Sequence, residues 1–197
     1  ERHINNIKKF SLTPVVAINS FILDTKKEIS AVKDFCKNQK VEVSESTHWA
    51  DGGKGAKDLA KKVVKICKNS KKKNFKFLYK DDQSLWSKVE TIAKEIYKAS
   101  SITADDNVKK QLKIFEDNGY GKLPVCIAKT QYSFSVDPKL KGAPSGHEIS
   151  IREVRLSSGA EFIVVVCGSI MTMPGLPRVP AADKIRLNKK GDIEGLF

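Results

Sequence analysis

The sequence has no long apolar run. Nowhere in its 197 residues does a hydrophobic stretch approach the about 20 residues that a transmembrane helix needs. The opening residues also lack the pattern of a secretory signal peptide. We therefore expect a cytoplasmic protein with no membrane partner. Hydrophobic residues still make up 40% of the chain, which is enough to bury a core in one or two domains.

Cysteine and histidine are scarce and scattered. The four cysteines show no close pairing, and neither they nor the three histidines have metal-ligand spacing. These residues are Cys36, Cys67, Cys126, Cys167, His3, His48 and His147. We expect reduced thiols, as in cytosolic proteins, and no metal site.

A phosphate-binding loop of the GxxxxGK[ST] type is also absent. The segment GGKG at 52–55 is glycine-rich but does not have that pattern. Glycine lets a backbone approach a ligand closely, so we take Gly52, Gly53 and Gly55 as candidate site-lining residues. Lys129, at the end of a predicted strand, is a fourth candidate. No residue is predicted to be catalytic.

Acidic residues are outnumbered, and the formal net charge is +13. A basic surface is typical of proteins that bind nucleic acid or other polyanions. Here the lysines are spread along the whole chain, and no aromatic residues alternate with the one short cluster at 68–74. The pattern favours a solvated surface or small polyanionic ligands over nucleic acid, which stays the weaker alternative.

The first residues predict a helix over 1–10, with Ile4, Ile7 and Phe10 at helical spacing. No initiator methionine and no clear capping residue precede this helix. We therefore expect the chain to be part of a longer protein.

The segment that follows has the pattern of a parallel α/β sheet. It contains a strand at 13–19, a helix at 24–38, a strand at 41–44 and a helix at 57–68. Beyond the lysine cluster the pattern changes, and we expect a domain boundary there, which divides the chain into domains 1–73 and 74–197.

The second domain is predicted as a smaller mixed α/β region. Its strands are expected at 75–79, 123–129, 147–156 and 160–167, its helices at 87–99 and 105–118, and a loop at 132–145. The strand at 147–156 alternates in hydrophobicity and is expected to pair with 160–167. A final hairpin should turn at 188–191.

Polar and aromatic residues lie just beyond the carboxyl ends of the first two strands. In open α/β sheets ligands bind at this edge. Asn19 ends the first strand, where its amide either contacts a purine ring or caps a turn. Phe21 and Trp49 follow the two strands, and their rings either hold a flat heteroaromatic ligand between them or cover the sheet edge.

A proline-rich loop follows the apolar strand at 162–167. Its sequence, MTMPGLPRVPAA at 171–182, contains Pro174, Pro177 and Pro180, which fix φ and remove donors, so neither a helix nor a strand can run through it. Such a stiff loop is either a binding element or a rigid surface turn.

Several segments together resemble the formate–tetrahydrofolate ligase family, in family order and over essentially the whole chain. They are AINSFILDT at 17–25, THWADGGKGA at 47–56, FKFLY at 75–79, AKEIY at 93–97, GKLPVCIAKTQYS at 121–133 and MTMPGLPRVPAA at 171–182. The resemblance implies that the chain is the C-terminal portion of such an enzyme, with the last strands of a P-loop-type parallel sheet.

The resemblance also implies a function. Family members use ATP, with Mg²⁺, to convert formate and tetrahydrofolate into 10-formyltetrahydrofolate through formyl phosphate, and bind no cofactor covalently. The residues at the positions of Phe21 and Trp49 flank the folate ring, and Asn19 is expected near adenine. The family's tetramers imply a homo-oligomer.

The family's phosphate loop, with its lysine, and its formyl-phosphate arginine lie N-terminal to the matching segments. We therefore expect this chain to require that missing portion and to be inactive alone. A folate- or nucleotide-binding module without chemistry is the main alternative, and a basic nucleic-acid-binding protein is the lesser one.

Overall fold

The computed structural model describes residues 1–69, 75–171 and 177–196. Its α-helices are α1 (Arg2–Lys9), α2 (Lys26–Asn38), α3 (His48–Asp51), α4 (Lys57–Asn69), α5 (Leu85–Glu95) and α6 (Asp106–Asp117). Its strands are β1 (Val15–Asn19), β2 (Glu42–Ser46), β3 (Ser101–Ala104), β4 (Val125–Ala128), β5 (Glu148–Ser157), β6 (Phe162–Cys167), β7 (Arg186–Leu187) and β8 (Ile193–Glu194). The predicted α/β class is confirmed.

Residues 11–69, called here the N-terminal region, contain a two-stranded parallel sheet. Strands β1 and β2 run side by side from Val15 opposite Glu42 to Asn19 opposite Ser46, so their carboxyl ends coincide. Helix α2 connects them, which is the βαβ arrangement expected for parallel neighbours. The register places Phe21 and Trp49 beyond the same edge of the sheet.

The start of α2 is fixed by a capping box. The Thr25 hydroxyl accepts a hydrogen bond from the Glu28 backbone N–H at 3.2 Å, and the Glu28 carboxylate accepts one from the Thr25 N–H at 2.9 Å. The two bonds satisfy donors that a helix start leaves free. They therefore set where the loop after β1 ends.

Residues 75–171, called here the C-terminal region, form a four-stranded mixed sheet in the order β3-β5-β6-β4. Strands β3 and β5 are parallel, as are β4 and β6, whereas β5 and β6 are antiparallel. Helices α5 and α6 pack on it. A cluster of fifteen buried apolar residues, all between Leu85 and Cys167, forms the core.

Helix α1 is tied to the C-terminal region although it precedes the N-terminal one. The Arg2 guanidinium donates to the carbonyls of Tyr97 and Pro144, both at 3.3 Å, and the Asn6 amide donates to the Ile96 carbonyl at 3.1 Å. These bonds satisfy carbonyls that lie just after α5 and in the loop before β5. The first nine residues thus fasten the start of the chain to its second sheet.

Most predicted elements are found within a few residues of their expected bounds. The predicted pairing of β5 with β6, which is antiparallel, and the final β7–β8 hairpin are confirmed. The strand predicted at 75–79 is wrong, since these residues form no ladder. Phe75 instead stacks on Phe10 at 5.8 Å, and the Tyr79 hydroxyl accepts the Val125 N–H at 3.2 Å. These residues therefore contribute aromatic contacts instead of a strand.

Strand β3 was not predicted. It has only four residues, and only Ile102 among them is buried. A segment this short carries too little alternation to signal a strand. Among the described residues, no helix is both long and apolar enough to cross a membrane.

Candidate functional site

The rings of Phe21 and Trp49 stack on each other at the carboxyl edge of the β1–β2 sheet. Their centroids are 5.6 Å apart and their planes differ by 22°. Both side chains stay about half exposed, at 52% and 48%. The two rings therefore face each other, and both remain accessible to a ligand.

The indole is held by a backbone carbonyl. Trp49 Nε1–H donates to the Ser20 carbonyl at 2.8 Å, and the Ser20 N–H donates to the Ser46 carbonyl at 3.0 Å. Ser20 follows β1 directly and Ser46 ends β2. The orientation of the indole is thus set by the junction of both strands, while no comparable bond holds the Phe21 ring.

A charged pair supports this junction. Glu45 accepts from Lys33 Nζ at 2.8 Å and from the Ser20 hydroxyl at 3.3 Å. The hydrogen bond from Lys33 holds the pKa of Glu45 below its ordinary value. The carboxylate therefore stays ionised near neutral pH and ties α2 to the strand ends beside Trp49.

The glycine-rich segment after α3 contacts the turn that carries Trp49. A Cβ on Gly55 would lie 2.5 Å from the Thr47 carbonyl carbon, whereas one on Gly53 would meet no atom within 4 Å. Gly52 has a φ of 55°, a left-handed conformation that favours glycine. Gly55 thus permits close packing under the Trp49 turn, and Gly52 permits the bend that follows it.

Gly53 and Gly55 also line a cleft of about 870 Å³. Three carboxylates share this cleft, from Glu45, Asp51 and Asp58. Asp58 accepts from Lys62 at 2.7 Å and from the Ser44 hydroxyl at 2.6 Å, and the bond from Lys62 keeps its pKa below the ordinary value. Lys54 lines the same cleft, and Lys33 and Lys62 pair with two of its carboxylates, so the cleft carries charges of both signs.

Asn19 lies where it was predicted, at the last position of β1, and its side chain is exposed. It pairs in register with Ser46, and Ser20, whose carbonyl holds the indole, is the next residue. Asn19 and the stacked rings therefore share one edge of one sheet.

Lys129 lies in a different place. It follows β4 and lines a separate cavity of about 710 Å³, none of whose lining residues belongs to the N-terminal region. Its ammonium donates to the Thr130 carbonyl at 2.9 Å and to the Ser133 carbonyl, and lies 5.0 Å from the Tyr97 ring centre. Burial lowers its pKa. The structure does not bring Lys129 together with Phe21 and Trp49.

The proline-rich loop is described only in part. Pro174 and Gly175 lie outside the described residues. Pro177 and Pro180 lie within them, and Pro180 precedes a short 3₁₀ turn at Ala181–Asp183. Among residues 1–69, 75–171 and 177–196, no group of three or more His, Cys, Asp or Glu side chains could hold a metal ion.

Ser20 is the site residue that sequence reasoning missed. It contributes mainly its backbone carbonyl and N–H, which every non-proline residue has. No property of the sequence marks such a role. Only the parallel register of β1 and β2, which brings Ser46 beside Ser20, makes it visible.

The whole chain matches one family of known proteins. The family model for formate–tetrahydrofolate ligase matches residues 1–197. The chain belongs to the formate–tetrahydrofolate ligase family. The resemblance inferred from the sequence motifs is thereby confirmed.

Individual relatives agree with this assignment. A formate–tetrahydrofolate ligase from Pelagibacter ubique is 60% identical over 197 residues, covering 100% of this chain and 35% of the relative. Proteins of the same name from Ruegeria pomeroyi and Sinorhizobium fredii are 58% and 56% identical over 196 residues, with the same coverage. The chain thus spans about a third of the length of the curated relatives it matches.

Proposed function

We propose that this chain supplies the folate-binding ring pair of an enzyme that joins formate to tetrahydrofolate with ATP. The observation that carries the proposal is the pair Phe21 and Trp49, stacked, half exposed and held beyond the coincident ends of two parallel strands. A pterin is flat and aromatic, and such rings stack on aromatic side chains with about 0.5–1.5 kcal/mol beyond burial. Family membership supplies the substrate class.

Binding between the rings requires the pair to open. A ring inserted between two others needs about 7 Å from one outer ring to the other, because aromatic carbons pack at about 3.5 Å. The centroids of Phe21 and Trp49 are 5.6 Å apart. Trp49 is fixed by its bond to the Ser20 carbonyl, so Phe21 is the ring that would move to admit the pterin.

The role of the pair is to position the substrate. In the family reaction, formate first takes the γ-phosphoryl group of ATP to give formyl phosphate. N10 of tetrahydrofolate then attacks the formyl carbon and phosphate leaves. Fixing the pterin between two rings turns the second step into a reaction between held groups, which lowers its entropic cost. ATP, Mg²⁺ and formyl phosphate would be held mainly by the part of the protein outside this chain.

The other predicted residues have secondary roles in this proposal. Asn19 shares the sheet edge with the rings and would contact adenine through its exposed amide. The carboxylates of the neighbouring cleft can accept hydrogen bonds from the amino and ring N–H donors of a pterin. We also retain a domain boundary at residues 73–74, supported by the separate sheets on either side.

Steady-state kinetics of a full-length enzyme carrying this chain test the proposal. Trp49→Ala should raise KM for tetrahydrofolate roughly tenfold or more, as the loss of one stacking contact and its burial implies, and leave KM for ATP within twofold. Trp49→Phe should restore most of the affinity. Tyr132→Ala removes a similarly exposed ring, at 59%, beside the Lys129 cavity and should change neither constant. Unchanged folate kinetics in Trp49→Ala would refute the stacking role.

A further inference from the structure

The Lys129 cavity lies beyond the carboxyl ends of a second pair of parallel strands. Strands β4 and β6 are parallel and in register up to Ala128 opposite Val166, so their carboxyl ends lie side by side. The end of β4, the loop that follows it and Ile170, just after β6, all line the cavity. In α/β sheets ligands bind outside the carboxyl ends of the strands. The second sheet thus has a cavity where such sheets carry their sites.

The cavity has the size and the walls of a small-molecule site. Its volume is about 710 Å³, and such sites typically measure about 300–1,000 Å³. Apolar and aromatic side chains line it, among them Tyr97, Ile127 and Ile170, and so do the polar side chains of Thr130 and Gln131. An apolar wall with a few polar groups fits the body and the polar end of a small organic molecule.

The Lys129 ammonium brings a partly buried positive charge to this cavity. It donates to the carbonyls of Thr130 and Ser133, and it lies 5.0 Å from the ring centre of Tyr97 and 5.8 Å from that of Phe134. No carboxylate in the described residues forms an ion pair with it. An ammonium has three donors, so one N–H is left for a ligand. Because a buried charge is costly without a counter-ion, an anionic ligand would stabilise this lysine.

Two further basic side chains line the same cavity. The Arg2 guanidinium lies 5.3 Å from the ring centre of Phe134, and the His3 ring lies 4.8 Å from it on centroids. Backbone carbonyls hold the guanidinium in place. Glu1 is the one acidic residue in the lining, and it is exposed. Positive groups therefore outnumber negative ones around the cavity, which favours an anion.

We propose that the Lys129 cavity binds a small organic carboxylate, with its carboxylate at the Lys129 ammonium and an apolar or aromatic body against Tyr97 and Ile170. The free ammonium N–H makes one charge-assisted hydrogen bond, which suits a monoanion better than the higher charge of a phosphate. Formate has no such body, so the expected ligand is not the formate of the family reaction. The site is separate from the ring pair and does not depend on folate binding there.

Methyl NMR of a full-length enzyme carrying this chain, labelled at the δ1 methyl groups of isoleucine, tests the site with benzoate as the probe. Added benzoate should shift the Ile127 and Ile170 signals until they saturate. Ile163, which is fully buried, should not move. Ile18, in β1, reports on the ring pair. A response of Ile18 without Ile127 and Ile170 would mean that benzoate binds at the rings and would overturn the proposal.

Lysine variants show whether the charge is responsible. Lys129→Met removes the ammonium but keeps a side chain of similar shape, and it should weaken benzoate binding at least about tenfold, as the loss of a charge-assisted hydrogen bond implies. Lys68→Met, which changes an exposed lysine of α4, is the matched control and should bind benzoate as the wild type does. An unmoved Ile163 signal shows that each variant is folded.

Three results would each overturn the proposal. The first is equal benzoate affinity of folded Lys129→Met and the wild type. The second, measured on the wild type alone, is tighter binding of inorganic phosphate than of benzoate at Ile127 and Ile170. The third is no response of these two signals at any soluble benzoate concentration, which would mean that the cavity is closed to small carboxylates in the full-length protein.

Discussion

The N-terminal and C-terminal regions contain similar elements but bury their side chains differently. The C-terminal region places all fifteen members of the apolar core cluster inside one mixed sheet and its helices. In the N-terminal region only Cys36 and Val41 are buried hydrophobic side chains apart from Pro14, while Ile22 and Leu23 are over 80% exposed. Helix α4 has no buried residue.

The region that contains the buried core cluster is therefore not the region that carries the candidate site. The region with its own core can hold itself together, and the region that carries Phe21 and Trp49 leaves apolar surface and a strand edge available. Exposed apolar patches mark binding sites and interfaces. The N-terminal region is therefore the place to look for folate and for contacts with the rest of the protein, and the following predictions test that contrast.

The largest expected effect is in the C-terminal core. Ile163 is fully buried in β6, so Ile163→Ala should lower the free energy of unfolding by roughly 2–5 kcal/mol. Ile18→Ala, in half-buried β1, should cost about 1 kcal/mol or less in this chain. Urea unfolding measures both values. Equal losses of unfolding free energy would contradict the contrast between the regions. A larger loss from Ile18→Ala in the full-length protein than in this chain would support it.

A second prediction concerns the packing under Trp49. In Gly55→Ala the added methyl would overlap the Thr47 backbone, and relieving such overlap costs about 1–3 kcal/mol. The Trp49 turn should shift, and folate affinity of the full-length enzyme should fall together with stability. Gly53→Ala is the matched control, because its methyl meets open space. Identical behaviour of the two variants in thermal unfolding and folate titration would refute the positioning role of Gly55.

Alkaline pH should destabilise the C-terminal region. Burial raises the pKa of the Cys167 thiol to about 12 from an ordinary value of 9.0. Above pH 9 the unfolded chain releases this proton while the folded chain keeps it, so stability falls as pH rises towards 12, by up to about 1.4 kcal/mol per pH unit. Burial also raises the pKa of Tyr97 to about 12, which acts in the same direction above pH 10.

The variant Cys167→Ala isolates the thiol. Its unfolding free energy, measured by urea titration from pH 8.5 to 11, should fall less steeply with pH than that of the wild type. Cys67→Ala, which removes an exposed thiol from α4, should leave the slope as it was. A slope unchanged in Cys167→Ala would show that the buried thiol does not contribute.

The smallest expected effects come from helix caps. Ser84 caps α5 through the Ser87 N–H at 3.2 Å, and Thr25 caps α2 through the Glu28 N–H at the same distance. Ser84→Ala should lower the global unfolding free energy by about 1 kcal/mol. Thr25→Ala should mainly fray α2, seen as faster amide exchange, with little global change. Equal global losses would mean that the two regions unfold as one unit.

The sequence predicted the elements best where they are long and periodic. Helices α2 and α6 and strands β5 and β6 follow directly from hydrophobic spacing. The segment FKFLY at 75–79 also alternates, yet it forms no strand, and its side chains make other contacts, such as the stacking of Phe75 on Phe10. Strand β3 is paired by β5 despite a weak pattern of its own, an effect of tertiary context.

The candidate site was predictable only in outline. Two aromatic residues following two neighbouring parallel strands must lie near each other, and Phe21 and Trp49 do. Their stacking and the hydrogen bond from the indole to the Ser20 carbonyl depend on the register of β1 and β2. Lys129 lines a different cavity because it follows a strand of the second sheet. The proposed ligand follows from the family motifs, since two rings do not specify a pterin.

Fluorine NMR of a full-length enzyme carrying this chain and labelled with 5-fluorotryptophan tests the central claim most directly. The Trp49 resonance, assigned by its loss in Trp49→Phe, should shift when tetrahydrofolate is added, and by more than when ATP is added alone. The Trp86 resonance, from the core helix α5, should respond to neither. A Trp49 resonance that does not shift with tetrahydrofolate at saturating concentration would contradict the account.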